Sequence, residues 1–189
     1  ATQSWTIAVT PVNDAPEITQ GATTTLAVEE DVLASLGLNA TDIDTAAANL
    51  TWSVSTVATN GTASVSGTGS SKSVSYVPNA DFNGTDSFVV RITDDSLTDT
   101  ITVNVTVNAA NDAPAITETT AAITTDEDTS GTVTLNATDI DGDTINWSVG
   151  LAATNGVATV SGAGLSQVVS YAPNANFNGS DSFIVSITD

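Results

Sequence analysis

The side chains best equipped for chemistry in this sequence are carboxylates and carboxamides, and they recur in matched sets. Asn13-Asp14, Glu30-Asp31, Asp42-x-Asp44 and Asp94 return as Asn111-Asp112, Glu127-Asp128, Asp139-x-Asp141 and Asp189. With no Cys and no His in the chain, thiol chemistry, imidazole bases, disulfides and the usual zinc ligand sets are excluded. What remains is oxygen. Flexible groups of carboxylate and amide oxygens suit Ca2+, which takes roughly six to eight such ligands, better than Mg2+, which keeps its water and prefers few carboxylates. A pair such as Asp42 and Asp44 could in principle serve as acid and base in glycoside cleavage. No cleft-forming insertion surrounds it, however, and its periodic return suits a joint between modules, so no enzyme activity is expected.

Charge narrows the partners. Twenty-two acidic residues face only two basic ones, Lys72 and Arg91, for a formal charge of −20. That excludes a nucleic-acid footprint, argues against an anionic membrane surface, and favours cations as partners. Disorder is disfavoured, because 40% of residues are hydrophobic and mean hydropathy is +0.13, so there is enough apolar surface to build a core. No apolar run approaches the roughly 18 residues a membrane span needs, and no signal peptide is visible at Ala1, so a soluble piece without membrane insertion is expected.

The elements that position these carboxylates read as strands. Leu50, Trp52 and Val54, then Phe88, Val90 and Ile92, then Ile101, Val103, Val105 and Val107 alternate with polar neighbours, and no stretch keeps a helical period. Turn signals separate the runs, among them Asn60-Gly61, Ser66-Gly67-Thr68-Gly69, Pro78-Asn79 and Asn83-Gly84, each repeated in the second half. Seven strands per copy are expected, near 16–28 (broken), 35–41, 50–57, 62–66, 73–77, 86–93 and 99–108. The fold class is therefore all-β: tandem seven-stranded immunoglobulin-like β-sandwiches joined end to end, without the antibody cysteine pair. Trp52 and Trp147 should fill the cores beside Tyr76 and Tyr171 and Phe88 and Phe183. Residues 1–10 read as the last strand of a preceding repeat, 11–108 as repeat 1, and 109–189 as repeat 2 lacking its last strand.

Strand direction then sorts the acids into two poles per module. The top receives Asp42, Asp44 and Asp94, and the bottom Glu29, Glu30, Asp31, Asp81 and Asp86. Stacking copies end to end would gather Glu30 with Asn111, Asp112, Asp139, Asp141, Asp143 and Asp189 at the central joint. So many carboxylates repel unless a cation neutralises them. The alternative is that they are solvated end-loop charges, since Asp and Asn also favour turns for backbone reasons. Asp139-Ile-Asp141-Gly142-Asp143 opens like a helix-loop-helix calcium loop, but Gly150 stands where that loop needs its bidentate Glu.

Taken together, Asn-Asp-Ala-Pro at 13–16 and 111–114, Glu-Asp at 30–31 and 127–128, Ala-Thr-Asp-Ile-Asp at 40–44 and 137–141, and Tyr-x-Pro-Asn-Ala-x-Phe-Asn-Gly-x-Asp-Ser-Phe at 76–88 and 171–183 resemble the cadherin-like tandem repeats of giant secreted bacterial surface proteins and adhesins. The resemblance implies calcium between successive domains, held at matching positions by Glu30, Asn111, Asp112, Asp139, Asp141 and Asp189, with a reduced set of Asn13, Asp14, Asp42, Asp44 and Asp94 at the top of the first copy. It further implies an extracellular, cell-surface setting and a structural role: a calcium-stiffened extender of a long adhesin, or a matrix or filament protein of a biofilm. A carbohydrate-binding module is the alternative, because the sandwich suits either. Expected partners are neighbouring repeats of the same protein, neighbouring chains by strand complementation, and, on the alternative reading, polysaccharide.

Overall fold

The computed structural model describes residues 1–189, which divide into a first unit, Ala1–Ala110, and a second, Asn111–Asp189. In the first unit the strands are β1 (Glu17–Ile18), β2 (Thr23–Glu29), β3 (Ala34–Thr41), β4 (Thr51–Thr56), β5 (Gly61–Ser64), β6 (Ser71–Pro78), β7 (Gly84–Thr93) and β8 (Thr98–Asn108). They form two four-stranded sheets, ordered β1-β3-β6-β5 and β2-β8-β7-β4. The expected break in the first strand is real and has a purpose. β1 pairs antiparallel with β3 in one sheet, Gly21 turns the chain at φ 82°, and β2 then lies parallel to β8 in the other. Positive φ costs glycine little, which is why it stands at the crossing.

The period-2 pattern decides which faces meet. Ile101, Val103, Val105 and Val107 of β8 and Phe88, Val90 and Ile92 of β7 are buried, together with Leu50, Trp52, Val74 and Tyr76. The Trp52 indole N–H donates to the Gly69 carbonyl at 2.7 Å, so the one polar atom of that side chain is satisfied inside the core. Tyr76 stacks on Phe88, ring centroids 5.9 Å apart.

The second unit comprises β9 (Ala115–Ile116), β10 (Gly131–Thr138), β11 (Asn146–Leu151), β12 (Gly156–Thr159), β13 (Gly162–Ala163), β14 (Ser166–Pro173) and β15 (Ile184–Thr188). One sheet has the order β12-β14-β10-β9 and the other β13-β11-β15. Its core repeats the first: Trp147 donates to the Gly164 carbonyl at 2.8 Å, and Tyr171 stacks on Phe183 at 6.0 Å. No strand corresponds to β2. In the first unit that strand pairs parallel with β8 along its whole length.

One expectation needs correction. Asn60-Gly61 and Asn155-Gly156 were expected as turns, yet Gly61 and Gly156 begin β5 and β12 without positive φ. The glycine is needed for space: a Cβ at Gly61 would lie 2.5 Å from the Tyr76 ring, and one at Gly156 2.5 Å from that of Tyr171. Residues 1–10 form no strand and pair with nothing in this chain. No helix is long and apolar enough to cross a membrane.

Candidate metal centre

In the second unit the acidic pole is built by three segments. The chain ahead of β9 carries Asn111 and Asp112, the loop after β10 carries Asp139, Asp141 and Asp143, and Asp189 follows β15. The Asn111 side-chain amide donates to Asp189 Oδ2 at 2.7 Å, and the Asp112 N–H donates to Asp141 Oδ2 at 2.7 Å. The Asp143 N–H donates to Asp139 Oδ1 at 3.1 Å, which folds the loop back on its first carboxylate. Carboxylate oxygens of Asp139, Asp141 and Asp143 all lie within 4.8 Å of one another. The second oxygen of Asp139, Oδ2, is buried and has no hydrogen-bond partner. A buried carboxylate oxygen without a donor is costly, and a hard cation is the species that compensates it.

The first unit repeats the scheme with one acid fewer. The Asn13 amide donates to Asp94 Oδ2 at 2.6 Å, and the Asp14 N–H donates to Asp44 Oδ2 at 2.8 Å. Asp42 Oδ1 accepts the N–H groups of Asp44 and Thr45 at 2.8 and 2.6 Å, while its Oδ2 is buried without a hydrogen-bond partner. The Leu97 N–H, the Asn13 amide and the Ser96 N–H hold the Asp94 carboxyl below its ordinary range. The longer loop here winds into a 3-10 turn, Ala47–Asn49, and carries no counterpart of Asp143. Lys72 on β6 and Arg91 on β7 lie outside the loops that bear these acids.

Within the first unit Glu30 lies away from Asp42, Asp44 and Asp94. It follows β2 at the opposite end of the first unit, buried, with Oε1 accepting the Ala110 N–H at 2.6 Å. Nearby, the Asp81 N–H donates to Asp31 Oδ1 at 3.2 Å, and the second unit repeats this as Asn176 N–H to Asp128 Oδ1 at 2.9 Å. Asp31, Asp81, Asp128 and Asn176 all adopt positive φ, which short polar side chains tolerate best.

Sequence reasoning put Asp86 among the acids of the lower pole, and the structure gives it an internal task. Asp86 accepts the Tyr76 hydroxyl at 2.9 Å and the N–H groups of Thr59, Asn60 and Ser87 at 3.1, 2.8 and 2.8 Å. Burial pushes its carboxyl up, but these four donors outweigh burial and the net shift is downward; burial first, then Asp86, pushes the Tyr76 hydroxyl upward. Asp181 does the same for Tyr171, Thr154, Asn155 and Ser182. The signal was present in the constant ten-residue spacing of Tyr and Asp in both copies.

Comparison with known proteins agrees with this architecture. No curated protein sequence matches the chain. Among solved structures, the ectodomain of human desmocollin-1 is similar at 14% identity and a TM-score of 0.48, covering 95% of this chain and 35% of that one. Extracellular cadherin domains 1–4 of protocadherin gamma B7 are similar at 18% identity and 0.47, covering 92% and 49%. An endo-fucoidan hydrolase of glycoside hydrolase family 107 is similar at 18% and 0.45, covering 96% of this chain and 28% of its own length. With TM-scores below 0.5 these likenesses carry no argument, and this chain spans less than half of each of these structures. The bacterial Ig domain model matches residues 13–106 and again 111–189, the two segments that fold here as separate sandwiches with the same Trp, Tyr and Asp internal bonds. The chain thus belongs to the bacterial Ig domain family, as two tandem copies.

Proposed function

We propose that this chain is a calcium-stiffened extender segment of a long extracellular bacterial protein, an adhesin or a matrix or filament component. The observation that carries the reading is the buried, unpartnered Oδ2 of Asp139 beside the carboxylates of Asp141 and Asp143. In the second unit Asp139, Asp141 and Asp143 would hold the ion, with Asp112, Asn111 and Asp189 supporting them. In the first, Asp42, Asp44 and Asp14 would do so, with Asn13 and Asp94. Bound calcium supplies neutralisation of like charge and a cross-link among segments that otherwise repel.

The link to stiffness lies in which residues are involved. Asp112 belongs both to the linker and to the acidic pole of the second unit, and Glu30 fixes the N–H of Ala110 just before it. An ion engaging Asp112 immobilises the linker on the second unit, and a repeat array with rigid linkers keeps its reach. Within the two sandwiches, burial of Trp52, Trp147, Tyr76 and Phe88 supports a structural role over sugar binding, which relies on exposed aromatic faces; the exposed Trp5 lies ahead of β1, outside both cores.

The test is calcium titration of the full chain by calorimetry, with melting followed in chelator and in millimolar calcium. Calcium at a hundredfold excess over its Kd should add about 2.7 kcal/mol to the stability of the second unit. Asp139→Asn with Asp141→Asn should abolish that gain while core amides stay protected from exchange. Identical melting in chelator and calcium would overturn the reading.

A further inference from the structure

The two acidic poles share a socket and differ in what lines it. In each unit the first carboxylate of the loop keeps one buried oxygen without a hydrogen-bond partner, Oδ2 of Asp42 and Oδ2 of Asp139. In each, the second carboxylate accepts an N–H from the segment ahead of the first strand: that of Asp14 on Asp44 at 2.8 Å, and that of Asp112 on Asp141 at 2.7 Å. The same cation chemistry is therefore open to both.

The loops diverge after that second carboxylate. Asp141 is followed by Gly142, which stands at φ 80° with nothing within 4 Å of where a Cβ would lie. Its positive φ, cheap only for glycine, turns the backbone back, the Asp143 N–H donates to Asp139 Oδ1, and a third carboxylate joins the group. Oxygens of Asp139, Asp141 and Asp143 come within 4.8 Å of one another. In the first unit Thr45 follows Asp44 without positive φ, and the chain runs on into the 3-10 turn Ala47–Asn49. No carboxylate returns, and Asp14, Asp42, Asp44 and Asp94 form no such trio.

The oxygens are also differently committed. Asp42 Oδ1 accepts two short bonds, from the N–H groups of Asp44 and Thr45 at 2.8 and 2.6 Å, whereas Asp139 Oδ1 accepts one N–H at 3.1 Å. Two donors occupy both lone-pair directions of a carboxylate oxygen and leave none for a metal. Asp94 is tied further: Oδ1 accepts the N–H groups of Ser96 and Leu97 at 2.7 and 2.6 Å, and Oδ2 accepts the Asn13 amide at 2.6 Å. Calcium affinity of an oxygen site rises with the charge its ligands bring. A further carboxylate about 4 Å from a divalent cation changes affinity roughly tenfold or more even when screened as in water. Both differences favour the second unit.

We propose that the two poles take calcium at separate thresholds, the second unit's at least about tenfold more tightly than the first's. Rising calcium then fastens Asn111-Asp112 to the second unit before it fastens Asn13-Asp14 to the first. The inference rests on the reading of these poles as calcium sites and deepens it: stiffening comes in two steps, and at intermediate calcium the linker is held while the segment ahead of β1 is still loose.

Calcium titration of the full chain from a chelated start tests it, followed by calorimetry and by the amide resonances of Asp14 and Asp112. Each of these N–H groups donates into one of the two clusters, so each reports its own site without any substitution. The Asp112 signal should move with the first phase of heat and the Asp14 signal with the second, their midpoints at least about tenfold apart. Asp143→Asn, at an exposed position, should weaken the first phase toward the second and leave the Asp14 midpoint where it was. Asp42→Asn with Asp44→Asn should remove the second phase alone. Coincident midpoints, a reversed order, or a first phase that Asp143→Asn leaves untouched would overturn the two thresholds and leave the extender reading standing. Absence of both heat and amide movement would overturn the two together.

Discussion

Replacing Tyr76 with Phe deletes one hydroxyl and leaves the stack on Phe88 intact. The lost bond is a 2.9 Å donation to a carboxylate, and Asp86 keeps the N–H groups of Thr59, Asn60 and Ser87. Because the acceptor remains satisfied, the loss should be that of a single charge-assisted bond, about 1.5 kcal/mol, or roughly a tenfold rise in the exchange rate of amides that open with the whole unit. Asp86→Ala is a different perturbation. It strands the buried Tyr76 hydroxyl and the partly buried Asn60 N–H, and removes two further bonds, for a loss of about 3–4 kcal/mol. In the double variant the hydroxyl is already gone, so the cycle should return a coupling of about 1.5 kcal/mol. Hydrogen exchange read at β6, β7 and β8 measures each value, with β10 and β14 of the untouched second unit as the internal reference. A coupling near zero would refute the argument, because it would mean that water satisfies the tyrosine as well as Asp86 does.

The same pairs set a pH window. Asp86 and Asp181 are held below the ordinary carboxylate range, so their contribution is present above about pH 4 and is lost as pH falls through their folded values. Tyr76 and Tyr171 are held above theirs, so their contribution is present below about pH 10 and is lost as pH rises further. Melting followed across pH should show both limbs, and Tyr76→Phe with Tyr171→Phe, which removes both tyrosines of the chain, should flatten the alkaline one. Gly156→Ala should lower the melting temperature of the second unit by forcing the Tyr171 ring off its seat, at about 1–3 kcal/mol, whereas Gly142→Ala, with open space at its Cβ, should cost only the strain of its positive φ, about 1 kcal/mol.

Much of the fold was legible because burial in a sandwich follows strict alternation. Val103, Val105 and Val107 could be assigned inward from their spacing alone, and β8 bears that out. Asn60-Gly61 was misread because a turn signal and a need for empty space use the same residue; only the Tyr76 ring lying on the backbone separates them. The acidic pole was legible in composition and repetition, since the same Asn–Asp and Asp–Asp bonds form in each unit. The role of Asp86 was not, because strand direction places it correctly in an end loop but says nothing of which hydroxyl reaches it. The parallel pairing of β2 with β8 joins segments more than seventy residues apart, a dependence that local pattern cannot express.

The parallel pairing of β2 with β8 decides how the first unit responds when tension is applied to its two chain ends. Once the two-residue pairing of β1 with β3 gives way, force reaches β2 in one direction and leaves through β8 in the other, along the strands and across the bonds between them. The register Thr23↔Thr102 to Glu29↔Asn108 is thus strained in shear, all of its pairs at once, whereas a hairpin pulled from its open end gives way one bond at a time. Resistance to stretching therefore comes from where β2 and β8 lie, and two modules of equal thermal stability can differ widely in the force each withstands.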